Sequence, residues 1–226
     1  FFVSGADAEL YNDASQVVLM RKDQRTVMSM SNNYKGPPED FAMVVPVPVV
    51  LQKEQVKTLP HDVFEKIDQL SAPRLVEYWE QDPCYRSGRM NKLAIPSVAM
   101  KAMAKSGSGA RGGRPQVRIE AQFSVGEYEI VILSADEANA LEAWLTSNNY
   151  RIPKGAAAAL APYIHGQMKF FVAKVNIEKV KRDQEGTAIL SPLRFDFESK
   201  TLRLPVRLGL LNAQGDQDLL IYVLHP

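Results

Sequence analysis

Residues 40–50, DFAMVVPVPVV, have the apolar, β-branched density of a strand but carry proline at positions 46 and 48. Proline has no N–H to donate to a ladder, so within sheets it is confined to edges, first positions and bulges. Side chains and N–H groups of an extended chain both alternate with period two, so the two missing donors fall on the same edge. The pattern therefore predicts an edge strand over residues 41–49. Val45, Val47 and Val49 face the core, and the proline side has no sheet partner. Such an edge resists pairing with another chain; a proline-lined binding lip is the alternative use of the same residues.

The flanking sequence supplies the sheet. QVVLMRKDQRTVMSMSNNY reads as a hairpin turning at Lys22-Asp23-Gln24, and GPPED (36–40) as a further turn. Pro60 opens a helix to about Leu70 with Val63, Phe64, Ile67 and Leu70 on one stripe, and RLVEYWEQDPC reads as a returning strand. In VRIEAQFSV, Val117, Ile119, Ala121, Phe123 and Val125 alternate with polar residues, and Gly126 separates this strand from YEIVILS. Ser134 and Glu137 have capping-box spacing for a helix with Leu141, Trp144 and Leu145 inward. GAAAALAPYIHG reads as a second helix interrupted or bent at Pro162. KFFVAKVNI, LRFDFES, TLRLPVRLG and DLLIYVLH are four further strands, the third with Leu202, Leu204, Val206 and Leu208 on one face and an edge or bulge at Pro205. The class is α+β, with largely antiparallel sheets, a few short helices and room for two lobes. SNNY recurs at 31–34 and 147–150, once after a strand and once after a helix, and reads as coincident stop chemistry.

Charge divides the chain. The net charge is +1, yet residues 85–115 carry Arg86, Arg89, Lys92, Lys101, Lys105, Arg111 and Arg114 without an acid, so the remainder stands at −6. With KSGSGARGGRP inside it, this segment reads as a basic linker or loop between an N-terminal sheet lobe with one helix (1–84) and a C-terminal α+β lobe (116–226). Arg86, Arg89, Met90, Lys92, Met100, Lys101 and Met103 are its candidate partner-binding residues, suited to an anionic polymer or another protein. Tyr85 is its single aromatic, so a base-stacking surface and a specific nucleic-acid signature are both missing. No apolar run approaches the roughly 20 residues that span a bilayer.

Reactive groups are sparse. The histidines are His61, His165 and His225, none in a recognisable catalytic context, and the single cysteine is Cys84. The sequence has no HExxH, paired CxxC or EF-hand pattern, and Gly107, Gly109, Gly112 and Gly113 lack the GK[ST] continuation of a phosphate loop. We therefore expect no cofactor, no metal and no catalytic residue. The reading is a non-enzymatic binding or assembly module; the alternative is a hydrolase with an unrecognised site, for which Cys84, His61 and Asp62 are the first groups to inspect.

Several stretches together resemble the bacterial exported-protein family called domain of unknown function 2330. They are ASQVVLMRKDQRTVMSMSNNYKGPPEDFAMVVPVPVVL, SAPRLVEYWEQDPCY, GEYEIVILSADEANALEAWLTSNNYRIP, MKFFVAKVN and LRLPVRLGLLNAQGDQDLLIYVLHP. The resemblance implies export by a signal peptide to the periplasm, the cell surface or the medium, with an envelope protein or anionic polymer as partner, and brings no catalytic residues. The chain departs from the family pattern in opening at Phe1 without a leader or N-terminal cysteine, and similar proteins continue past YVLHP, so a fragment of a longer protein is expected. In the oxidising compartment so implied, Cys84 is expected to be a structural half-cystine paired with a residue upstream of Phe1.

Overall fold

Alternating apolar residues give strands with one face to bury, and two such faces stacked on each other form the main core of this protein. The computed structural model describes residues 2–4, 11–35, 41–73, 116–182, 188–212, 215–216 and 218–224. In chain order these form β1 (Phe2–Ser4), β2 (Tyr11–Lys22), β3 (Arg25–Lys35), β4 (Phe41–Val47), β5 (Val56–Thr58), α1 (Asp62–Ser71), β6 (Val117–Val125) and β7 (Tyr128–Ala135). There follow α2 (Ala138–Ser147), α3 (Ala156–His165), β8 (Lys169–Val175), β9 (Lys181–Arg182), β10 (Ala188–Ile189), β11 (Leu193–Glu198) and β12 (Asp218–Leu224). One sheet has the order β1-β4-β8-β7-β6 and the second β12-β2-β3-β11-β5, with β9 and β10 as a small ribbon. The β12–β2 pair is parallel and the others are antiparallel. The expected α+β class with largely antiparallel sheets is the architecture found.

Each sheet takes strands from both sides of residues 74–115, so the described parts of the expected lobes share their sheets. Val17, Leu19 and Met28 from the second sheet meet Phe41, Met43, Val45, Ile130, Ile132 and Phe171 from the first. On the first sheet's other face, Ala42, Val44, Leu133, Phe170 and Val172 pack against Leu141, Leu145, Leu160 and Ile164 of α2 and α3. The layers run helix, sheet, sheet.

That layering corrects the reading of the proline stretch. β4 runs only from residue 41 to 47, and every residue in it is buried, because the sheet covers one face and the helices the other. It lies one strand in from the edge, but β1 pairs only with Phe41–Met43, while β8 pairs from Ala42 to Val47. From Val44 onward the ladder is one-sided among the described residues, as the prolines require. Pro48 and Val49 form a bend beyond the strand.

Other expectations move for equally local reasons. A bulge at Glu120 breaks the β6 register between Ile119 and Ala121, so Val117 packs toward the helices and Ala121, Phe123 and Val125 toward the second sheet, with Ile119 exposed. Ser134 belongs to β7 and donates to the Glu120 carboxylate, so it does not cap α2, whose N-cap is Glu137. TLRLPVRLG is not a strand: Val206 N–H turns back to the Leu204 carbonyl, and Arg207–Asn212 form 3-10 turns. Leu70 is exposed, leaving Phe64 as the buried anchor of α1. α3 continues through Pro162, which faces solvent.

The two SNNY copies differ in structure: Ser31–Tyr34 lie in β3, while Asn149 (φ 65°) ends α2 in a left-handed cap. There the Tyr150 N–H reaches the Leu145 carbonyl and the Asn149 N–H that of Thr146, the paired bonds of a Schellman ending. GPPED and RLVEYWEQDPC lie outside the described residues.

Candidate binding surface

β12 closes one side of the second sheet, and among the described residues its outer edge has no strand partner. Ten large apolar side chains are exposed among the described residues, and five of them, Leu219, Leu220, Ile221, Val223 and Leu224, belong to this one strand. Such concentration sets this strand apart from the scattered exposed leucines of an ordinary surface. Its register with β2 places Leu219, Ile221 and Val223 beside Ser15, Val17 and Leu19, on the face turned toward the first sheet. Val17 and Leu19 are buried there, but Ile221 and Val223 are 44% and 68% exposed, so the second sheet overhangs the first at this rim. On the outer face the Tyr222 hydroxyl donates to Asp68 of α1 at 2.9 Å. α1 follows β5, the strand at the opposite edge of this sheet, so the bond ties the segment after one edge to the other.

Beside the rim a cleft opens between the sheets, lined by Val17, Met28, Met30, Met43, Val45, Pro46 and Leu219 and bordered by Leu204–Gly209. Its volume is about 100 Å³. A site for a drug-sized ligand or cofactor occupies roughly 300–1,000 Å³, so this cleft suits one or two apolar side chains. A wider depression of about 470 Å³ beside Val49, Val50 and Glu54 includes Arg25, whose guanidinium is held bidentately by Asp196 at 2.9 and 2.6 Å. That bond holds the Asp196 carboxyl below its ordinary pKa.

Two buried residues, Glu127 and Tyr128, form a structural clamp. Tyr128 OH donates to the Ser191 carbonyl at 2.7 Å, and the Ser191 N–H donates to the Glu127 carboxylate at 2.6 Å, tying the β6–β7 turn to the segment entering β11. Burial pushes the Tyr128 phenol far above its ordinary pKa, with the Glu127 charge acting in the same direction. An unfolded tyrosine ionises near pH 10 while the folded one keeps its proton. The stabilising effect is therefore complete below about pH 10 and is lost as pH rises through the folded value. Urea titrations at pH 8 and at pH 10.5 are expected to show a smaller alkaline loss for Tyr128→Phe than for the parent. At pH 8 the variant should be less stable by about 1 kcal/mol for the lost hydrogen bond.

The partner-binding candidates Arg86, Arg89, Met90, Lys92, Met100, Lys101 and Met103 lie outside the described residues, as do Cys84, its proposed bridge upstream of Phe1, and His225. Of the hydrolase candidates, Cys84 lies outside the described residues, His61 is the exposed N-cap of α1, and Asp62 accepts a hydrogen bond from Lys66 at 2.8 Å, which lowers the carboxyl pKa. His165 ends α3, exposed. No cluster of three or more His, Cys, Asp or Glu among the described residues could hold a metal, and no described helix is long and apolar enough to cross a membrane. DLLIYVLH was legible as a strand, but its edge position was not, because strand order is absent from local periodicity.

An α+β protein with an apolar rim, and no reactive constellation among its described residues, is the class defined by this fold and surface. The family model for DUF2330, described as an uncharacterized protein conserved in bacteria, matches residues 1–226, and the chain belongs to that family. No curated protein and no solved structure matches it.

Proposed function

We propose that this protein is a non-enzymatic macromolecule-binding or assembly module of the bacterial envelope, and that β12 with the adjoining cleft is its contact surface. The observation that carries the binding role is the concentration of exposed Leu219, Leu220, Ile221, Val223 and Leu224 on an edge strand unpaired among the described residues. Edge strands offer a row of backbone donors and acceptors, and natural proteins usually guard them with charge, proline or a bulge. In β12 the charged side chain is Asp218, at its first position. The envelope location rests on the family resemblance, and the basic residues of 85–115 are a second contact to an anionic polymer.

The test places a photo-cross-linking residue at Val223 of the full-length protein in its native cells. Cross-linked macromolecular products are expected in the envelope fraction, and they should disappear in a protein that also carries Ile221→Lys. Absence of products, or products unaffected by the lysine, contradicts the contact surface; recovery of the protein from the cytoplasm contradicts the location.

A further inference from the structure

We infer that the cleft between the sheets is a thioether site for a single Cu(I) ion, with Met28, Met30 and Met43 as its ligands. The inference goes beyond the contact role of the rim and does not depend on it. Five of the described residues are methionine, and three of them line this one cleft. Met28 and Met30 are two positions apart on β3, so they share a face of the strand, and both belong to the inter-sheet core with Met43 of β4. Met28 and Met43 are buried, while Met30 is partly buried and lines the small neighbouring pocket together with Met43. Stacked sheets lie about 10 Å apart, and an unbranched methionine carries its sulfur roughly halfway across such a gap, so side chains from the two sheets meet in the middle.

The donor set selects the ion. Thioether sulfur is a soft, uncharged donor that suits Cu(I), whereas carboxylate and carbonyl oxygens suit magnesium, calcium and manganese. Among the described residues the lining holds no histidine or cysteine, the donors that zinc takes. Three neutral ligands leave the ion its single positive charge, and Asp218 on the same lining supplies one negative charge. A divalent ion would keep a second, uncompensated charge beside Val17, Val45 and Leu219, where apolar surroundings make it costly. Packing alone does not require sulfur at all three positions, because leucine fills nearly the same volume as methionine. The cleft, about 100 Å³, has room for one ion.

The test uses the full-length protein with its cysteines replaced by serine, because a thiolate would also take a soft ion. Ag(I), a redox-inert stand-in for Cu(I), is added as the nitrate in chloride-free buffer while the methyl resonances of isotopically labelled methionine are followed. Cu(I) affinity is then measured anaerobically against a chromogenic Cu(I) chelator. One ion should bind per chain, with shifts confined to the methyls of Met28, Met30 and Met43, and Zn(II) should move none of them. A protein carrying Met28→Leu, Met30→Leu and Met43→Leu together is expected to bind neither Ag(I) nor Cu(I), with its urea midpoint close to the parent's because the changes conserve volume. The same replacement at Met90, Met100 and Met103 should leave both ions bound. Absence of shifts at the three cleft methyls, undiminished binding by the cleft variant, or loss of binding in the other variant overturns the inference. If the cleft variant does not fold, the parent's methyl shifts decide: shifts at Met28, Met30 and Met43 support the site, and shifts elsewhere alone overturn it.

Discussion

Phe171→Ala is expected to lower stability by about 3–5 kcal/mol, a large part of the roughly 5–15 kcal/mol that holds a domain folded. Phe171 is fully buried in β8, and its ring meets that of Phe195 in β11 edge to face, with centroids 4.8 Å apart at 70°. The pair joins the two sheets at their shared face, so truncation leaves a cavity with rigid walls on both sides. Phe171→Leu should fall between the parent and alanine, because it keeps most apolar volume and loses the ring–ring contact, worth about 0.5–1.5 kcal/mol. Urea midpoints of the three proteins provide the check: equal stability of parent and alanine variant would show that the sheets do not depend on this contact.

Gly126→Ala carries the second large effect. The β6–β7 hairpin closes with Gly126 and Glu127 between the paired residues Val125 and Tyr128, and Gly126 has φ +57°. Positive φ at the first of two turn residues fits the type II′ turn, where glycine is favoured. A Cβ at Gly126 would also stand 2.8 Å from Thr58 Cγ2 in β5, across the sheet interface. Strained backbone of this kind costs about 1–3 kcal/mol, and the contact adds to it. The two contributions separate in a double-mutant cycle. Thr58→Ser removes Cγ2, so alanine at 126 should be less damaging in that background yet still destabilising; identical effects in both backgrounds would exclude the steric part.

The parts of the fold legible in sequence were those coded locally. The β2–β3 hairpin has the expected turn, with Asp23 at φ 53°, and β8, β11 and β12 lie where alternation placed them. Alternation could not distinguish TLRLPVRLG from a strand, because its leucines have the right period and the turn from Val206 back to Leu204 is made by backbone bonds that periodicity does not encode. Nor could it reveal the bulge at Glu120, since an inserted residue leaves the apolar pattern intact and changes only which face each side chain meets. Ser134 and Glu137 had the right spacing and the wrong context, with Ser134 held by Glu120 inside a strand. For the candidate surface, the apolar residues of β12 were visible, but their exposure depends on how far the opposite sheet extends.

The place of β4 gives its prolines a role in time as well as in space. Pro46 pairs in register with Phe170, 124 positions later, so the ladder of this wholly apolar strand cannot close until most of the chain exists. At synthesis rates of about 5–20 residues per second, β4 waits roughly 6–25 s for β8. An unguarded Val-rich segment exposed that long could pair with the same segment on a neighbouring nascent chain. Pro46 and Pro48 remove the donors such pairing needs, and the same absence costs nothing once the one-sided ladder to β8 has formed.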